Sequence, residues 1–473
     1  MAIADIAGLR VALPKGRLLS PTAELLGRAG WGLDDYSDKA RLYRLTSECF
    51  PNLAAKMFQE KDIPIQVAIG NYDLGVCGLD WLTEQVVKYP RSALVKLRDL
   101  GYGEGGVFVA AAPERLKSAT LRIQGNCVRI ASEYPNLAER LAAELRLSRF
   151  SIYPLWGAAD GYPPDNAELA LLSRKNVDEV ALSGLTPLGK MVDFRACLIA
   201  NAHSLRTKNM AWLLDTLSPY LPNAVAPDLS DRIGPLQIVA GDFAGDEDIV
   251  RLALPDGHQQ THVHRVLDTA GLVVNDYPSA TGNRRPQGPA GFCITVIRPQ
   301  DMPFQVANGN FDLAITGRDW LTDHLYQFPA SPVRELMDLK YGWVRIVAVV
   351  DGALPVESLS ELRDYRRGQD MPCRVASEYI NIADHYARAS RLGRYCVIPT
   401  WGATEAFLPE DADLLIENTE TGSTIARHNL KIIDTLFEST ACVVGRQQEI
   451  TALKQERIND FLNALSMGLE VKS

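Results

Sequence analysis

The chain has 473 residues, too many for one ordinary hydrophobic core, so two or more domains are expected. At 47% hydrophobic, 23% charged and a net charge of −9, it lacks the basic surface that general nucleic-acid binding needs, though one phosphate could still sit in a local pocket. No apolar run approaches the ~18–20 residues that span a bilayer, and the first ten residues lack both a basic region and a long apolar core, so the expected location is the cytoplasm.

In chain order, the strand LRVALP (9–14) runs into a loop carrying Lys15, Gly16 and Arg17, and SDKARLYR (37–44) adds Arg41. QVAIGNYDLGVCGLDWL (66–82) follows, then RDLGYGEGG (98–106), which reads as a hinge between lobes despite a superficial likeness to a dinucleotide loop. Strand-like VFVAAA and CVRIAS then alternate with helical patterns such as NLAERLAAELRL (136–147). A Pro-, Asn- and Asp-containing stretch at 220–235 reads as a linker.

Beyond the linker the chain repeats itself. QVANGNFDLAITGRDWL (305–321) matches residues 66–82 at eleven of seventeen positions, RVASEYINIADHYA (374–387) answers VRIASEYPNLAERLA, and IPTWGATE (398–405) answers YPLWGAAD (153–160). Partners stay between 239 and 246 residues apart, too long a period for a solenoid. Duplication and fusion give a first copy over 1–225 and a second over 226–473. Alternating strands and helices imply an α/β class with mostly parallel sheets, and each copy is large enough to divide into two lobes around a cleft.

The sharpest motif lies near the end, in DLLIENTETGSTIARHNLKIID (413–434). A strand delivers Glu417 to a turn of Thr419, Glu420, Thr421, Gly422, Ser423 and Thr424, followed by a helix start. Gly422 permits a positive φ, successive N–H groups and three hydroxyls offer donors to a phosphate, and Glu417 can accept from sugar hydroxyls. The bland alternative is a helix cap, which an isolated TGST would favour; the acid and the strand context shift the balance to phosphate.

These segments together resemble the ATP phosphoribosyltransferase family. The resemblance rests on LRVALPKGRLLSPTAELLGRAGW, YDLGVCGLDWL, RDLGYGEGG and RIASEYPNLA in the first copy, and on FDLAITGRDWL, RVASEYINIA, WGATE and ENTETGSTIARHNL in the second. It implies a duplicated two-lobed fold similar to periplasmic binding proteins. It also implies attack of ATP N1 on C1′ of phosphoribosyl pyrophosphate (PRPP) with Mg2+ on the substrate phosphates, the first step of histidine biosynthesis. Asp312 and Leu313 match the family's ligand-contact segment.

The departures are complementary. Opposite the second copy's turn, the first copy reads Arg174-Lys175-Asn176-Val177-Asp178-Glu179, without glycine or hydroxyls; opposite Lys15, Arg17 and Arg41, the second copy has Asp256, His258 and Gly282. The expectation is a pseudo-twofold dimer with one composite site, Lys15, Arg17 and Arg41 stabilising the departing pyrophosphate. Rival readings are an inactive nucleotide- or histidine-sensing paralogue and a phosphoribosyltransferase with another acceptor base. Histidine as an inhibitor, a separate regulatory subunit and homo-oligomer formation are the partners left open. The eight cysteines, without a CxxC pair, and the histidines at 258, 262 and 264 give no metal site.

Overall fold

In the computed structural model the described residues are 8–37, 43–117, 120–124, 127–222, 237–241, 247–447 and 450–470. The expected boundary between 225 and 226 lies outside them, as does Arg41.

Each copy forms two lobes, and the sheets repeat. Lobe I of the first copy orders its strands Arg44–Thr46, Leu53–Phe58, Leu9–Pro14, Leu74–Gly78, Ala196–Asn201, Leu94–Asp99. Lobe I of the second copy follows the same order without the first edge strand: Phe292–Ile297, Val250–Pro255, Leu313–Gly317, Ala441–Arg446, Val333–Asp338. The lobe II sheets also match. They run Phe150–Pro154, Val128–Ser132, Leu169–Arg174, Gly106–Ala111, Thr186–Asp193 in the first copy and Tyr395–Pro399, Cys373–Ser377, Leu414–Thr419, Val344–Asp351, Leu430–Ser439 in the second. Three neighbouring strands in each of these four sheets are parallel, and an antiparallel strand continues each. Parallel pairing needs long crossovers, which the helices supply, and burial on both faces explains why strands such as Gly106–Ala111 are wholly apolar.

Residues 99–106 carry the chain from lobe I to lobe II, with Gly101, Gly103 and Gly105 at positive φ, where a side chain would be strained. A three-stranded sheet joins Gln237–Gly241, from the start of the second copy, to Thr120–Gln124 and Leu116–Lys117 of the first.

The copies pack head to tail, lobe I of each against lobe II of the other. One shared core joins Phe58, Ile63 and Tyr72 to Phe407, Leu415 and Ile425; the reciprocal core joins Tyr162 and Leu172 to Met302, Phe311 and Leu321. Buried Asp411 ties the first junction, accepting from Arg10 at 3.0 Å, Lys56 at 2.9 Å and the Tyr72 hydroxyl at 2.9 Å. A buried charge held by three donors is expensive to break, so the two copies form one body.

Candidate active site

The strand Leu414–Thr419 buries Leu414, Leu415 and Ile416 and delivers Glu417 beside Glu378 and Glu405. Desolvation, then repulsion from Glu378 and Glu405, pushes the Glu417 carboxyl up to about 8, although the Asn418 N–H donates to it at 3.0 Å and Thr404 also bonds it. Glu378 is pushed up to about 7 by desolvation, with Lys61 pulling down and Glu405 pushing up.

The turn that follows is folded on its own hydroxyls. The Gly422 N–H donates to Thr419 Oγ1 at 2.9 Å, the Ser423 N–H to Thr421 Oγ1 at 3.3 Å, and the Thr421 and Ser423 hydroxyls lie 3.1 Å apart. Gly422 has φ +77°, and a Cβ there would have nothing within 4 Å, so the space over the turn is open. Glu420, Thr421, Ser423 and Thr424 are exposed at its rim.

Lobe I of the first copy faces this turn. Lys15 follows the strand Leu9–Pro14, and its Nζ donates to the Tyr43 hydroxyl at 3.2 Å while lying 4.4 Å from the ring centroid. Tyr43 in turn stacks on His428 of the second copy, 5.0 Å between centroids and 5° between planes. Burial pushes the Lys15 ammonium down, with Glu405 opposing. Burial pushes the Tyr43 hydroxyl up to about 12, aided by Glu405 and Glu417 and opposed by Arg427. Lys15, Tyr43, Glu405, Glu417, Arg427 and His428 thus share one electrostatic neighbourhood built from both copies.

The remaining sequence candidates lie elsewhere. Gly16, at φ +75°, turns the chain between Lys15 and Arg17. Arg17 therefore faces the first copy's own cleft, bonded to Glu60 at 3.0–3.1 Å, to Asp80 at 2.7 Å and to Ser173 of lobe II at 2.8 Å. Its guanidinium is committed to two carboxylates. Asp312 and Leu313 are not in the arrangement at all. Asp312 stands at the opposite end of its sheet, where its carboxylate accepts from the Arg251 N–H at 2.8 Å and pairs with Lys454 at 3.1 Å, and Leu313 is a buried strand residue. The repeated Asp-Leu pair is a fold device: Asp73 does the same for the Arg10 N–H and Lys208.

The equivalent junction, lobe I of the second copy against lobe II of the first, is filled with ion pairs. Asp256, opposite Lys15 in the repeat, binds Arg284 at 3.0 Å and Arg298 at 3.2 Å, and Asp160, opposite Glu405, binds Arg174 at 2.9 Å. Arg174 occupies the position of Thr419. The following residues form an ordinary capped helix start: Asn176 accepts from the Glu179 N–H at 3.0 Å and Glu179 accepts from the Lys175 N–H at 3.0 Å.

Lys61, whose counterpart is Gln300, sits where the two junctions meet, with its Nζ 5.6, 5.4 and 5.2 Å from the ring centroids of Trp81, Trp156 and Trp401. Its ammonium is pushed down by burial against the pull of Glu133, Asp62, Asp301 and Glu378. Sequence reasoning passed over Tyr43, Lys61, Glu378, Glu405 and His428. Glu378 and Glu405 stood inside the repeated SEY and WGATE segments, so the repeat itself carried the signal. Among the described residues no group of three His, Cys, Asp or Glu side chains could hold a metal ion, and no helix is long and apolar enough to cross a membrane.

The fold and junctions define a duplicated two-lobed α/β protein in which one of two equivalent sites keeps an open glycine–hydroxyl turn. The family profile for ATP phosphoribosyltransferase (HisG) matches residues 59–219 and 298–467. An ATP phosphoribosyltransferase of Saccharolobus solfataricus is 30% identical over 235 residues, covering 47% of this chain and 73% of that protein. One from Chlorobium chlorochromatii is 33% identical over 230 residues, covering 46% and 71%. A chain of the ATP phosphoribosyl transferase (HisG:HisZ) complex from Thermotoga maritima aligns at 21% identity over 48% of this chain and all of its own, with a TM-score of 0.39. The chain belongs to the ATP phosphoribosyltransferase family, pentosyltransferases of the first step of histidine biosynthesis.

Proposed function

We propose that the chain joins ATP to PRPP at a single composite site, with the phosphate turn from the second copy and Lys15 from the first. The observation that carries this is the asymmetry of the two junctions: in one, Gly422 opens onto free space and Lys15 is held by Tyr43, which stacks on His428, whereas Arg174 and Asp256 close the other with ion pairs.

In this reading the 5′-phosphate sits over Gly422, Ser423 and Thr424, exchanging the turn's internal hydroxyl bonds for charge-assisted ones. Glu417 accepts from the ribose hydroxyls and, when ionised, faces the positive charge that develops on the sugar. The adenine N1 lone pair forms the bond to C1′ as the C1′–O bond breaks, and its electrons leave with pyrophosphate. Lys15, held by Tyr43, meets that leaving charge; a preorganised donor of this kind contributes roughly 3–4 kcal/mol. Arg17 acts as a tie between the lobes of the first copy rather than on the leaving group. Among the described residues no three acidic, His or Cys side chains form a ligand set, so the substrate phosphates would hold Mg2+, which would neutralise part of their charge. Metabolic substrates of this kind place the chain in the cytoplasm.

The test is pyrophosphate release from PRPP with ATP and magnesium. The proposal expects release that requires both substrates and is reduced in Glu417→Gln. No release, or release with a different base in place of ATP, overturns it.

A further inference from the structure

Outside the transfer site, lobe II of the second copy carries a cavity of about 500 Å3 lined by Arg363, Arg366, Arg367, Arg391 and Arg394, with Asp364 the one acid in its wall. Five guanidiniums around one hollow are unexpected in a chain of net charge −9. Two are partly neutralised: Arg366 pairs with Asp413 at 3.3 Å and Arg367 with Asp364 at 2.9 Å. Arg363 and Arg394 reach only backbone carbonyls, Ser390 O at 3.5 Å and Asp370 O at 3.3 Å, and among the described residues neither they nor Arg391 meets a carboxylate. Uncompensated like charges raise the energy of the free protein, and an anion removes that cost.

The repeat shows that the hollow is a departure rather than a feature of the fold. Arg391 and Arg394 have counterparts in Arg146 and Arg149, and Arg146 shares the positive φ of 52° with Arg391. The helix Leu359–Arg366, which brings Arg363 and Arg366, has no counterpart; there the first copy forms the strands Leu116–Lys117 and Thr120–Gln124. Three of the five arginines therefore belong to the second copy alone. The wall turns at Gly368 and Gly393 have φ of +84° and +75°, and a Cβ at either would meet nothing within 4 Å, so the rim is open.

We propose that this cavity is a second anion site, taking a compact phosphate-rich ligand of di- or triphosphate size. Guanidinium forks match phosphate oxygens in pairs, and the volume falls in the range of small-molecule sites. An acidic protein segment would need an extended surface instead of a hollow. Met371, 72% exposed at the rim, offers an apolar surface beside the charges.

The probe is inorganic tripolyphosphate, titrated into the full chain and followed by calorimetry and by the methyl resonances of 13C-methionine-labelled protein. The proposal expects a binding event that shifts the Met371 methyl, assigned by Met371→Leu. The double variant Arg363→Gln/Arg394→Gln should weaken that event at least tenfold while leaving turnover of ATP and PRPP unchanged. Glu417→Gln, which alters the transfer site, should leave the Met371 shift intact, so the two readings fail separately. A Met371 methyl unmoved by saturating tripolyphosphate overturns the proposal. So does a shift of equal affinity in the double variant, or one that pyrophosphate cannot reproduce but a polyglutamate peptide can.

Discussion

The strand ends at 174–179 and 419–424 occupy the same place in two copies of one fold and do opposite things. At 174–179 the donors are used up internally, by Asn176 and Glu179, and Arg174 is anchored on Asp160. At 419–424 glycine takes the left-handed position, short hydroxyls replace the cap, and burial beside Glu378 and Glu405 pushes the Glu417 carboxyl up. The partner surfaces differ to match: Lys15 is held by Tyr43, which stacks on His428, whereas Asp256 is spent on Arg284. Under the proposed function, a duplicated site has thus lost its ligand by neutralising itself, which preserves the junction as a structural contact.

The largest expected effect is at the open turn. Gly422→Val puts a β-branched residue at φ +77°. It should lower kcat/KM by about 10²–10³-fold, the scale of losing a preorganised donor, whereas Val177→Gly at the matched position should leave turnover unchanged. Steady-state kinetics with both substrates decides this, and equal losses would erase the asymmetry.

Lys15→Ala should cost about 10²-fold in kcat by the same reasoning. Arg17→Ala should act chiefly on stability, because Glu60 and Asp80 lose their partner. Mixing Lys15→Ala with Gly422→Val protein should restore no activity, since both elements serve one site within one chain; recovery would place the site between chains.

The pH dependence is next. Burial, followed by nearby carboxylates, pushes Glu417 up to about 8, and burial pushes Glu378 up to about 7. Activity with subsaturating PRPP should rise from pH 6 and level off above about 8.5 as the ribose-binding carboxylate ionises, and Glu417→Gln should flatten this limb. Both acids keep protons that an unfolded chain releases near the ordinary carboxylate value of 4.5. The folded state therefore binds more protons between pH 5 and 8, and stability falls as pH rises through that window. Denaturant midpoints at pH 5.5 and 8 should show the fall, and the double Gln variant should show less of it.

The smallest effect is at the closed junction. Asp256→Ala leaves Arg284 and Arg298 without their shared partner. It should cost about 1–3 kcal/mol of stability with turnover unchanged, as read by denaturant titration and assay.

The two copies, their α/β class and the glycine–hydroxyl turn were legible because repeats and strand–turn–helix chemistry are local properties of sequence. So was the complementary loss of Lys15 and Gly422, since aligned copies expose it. What was not legible depends on the direction of side chains. Lys15 and Arg17 are two residues apart, yet across Gly16 Lys15 turns to Tyr43 and Arg17 to Glu60, Asp80 and Ser173. The Asp312-Leu313 match resembled a ligand contact because a buried acid holding a backbone N–H constrains sequence as strongly as a substrate would. Tyr43 and His428 meet only through the head-to-tail docking, and no window of sequence contains both.

A crystal structure of the full chain with PRPP tests the central claim most directly. The account predicts the 5′-phosphate on Gly422–Thr424 and the pyrophosphate within about 3 Å of Lys15 Nζ, the length of a charge-assisted hydrogen bond. Pyrophosphate directed to the second copy's own lobe I, beside His258 and away from Lys15, would contradict it.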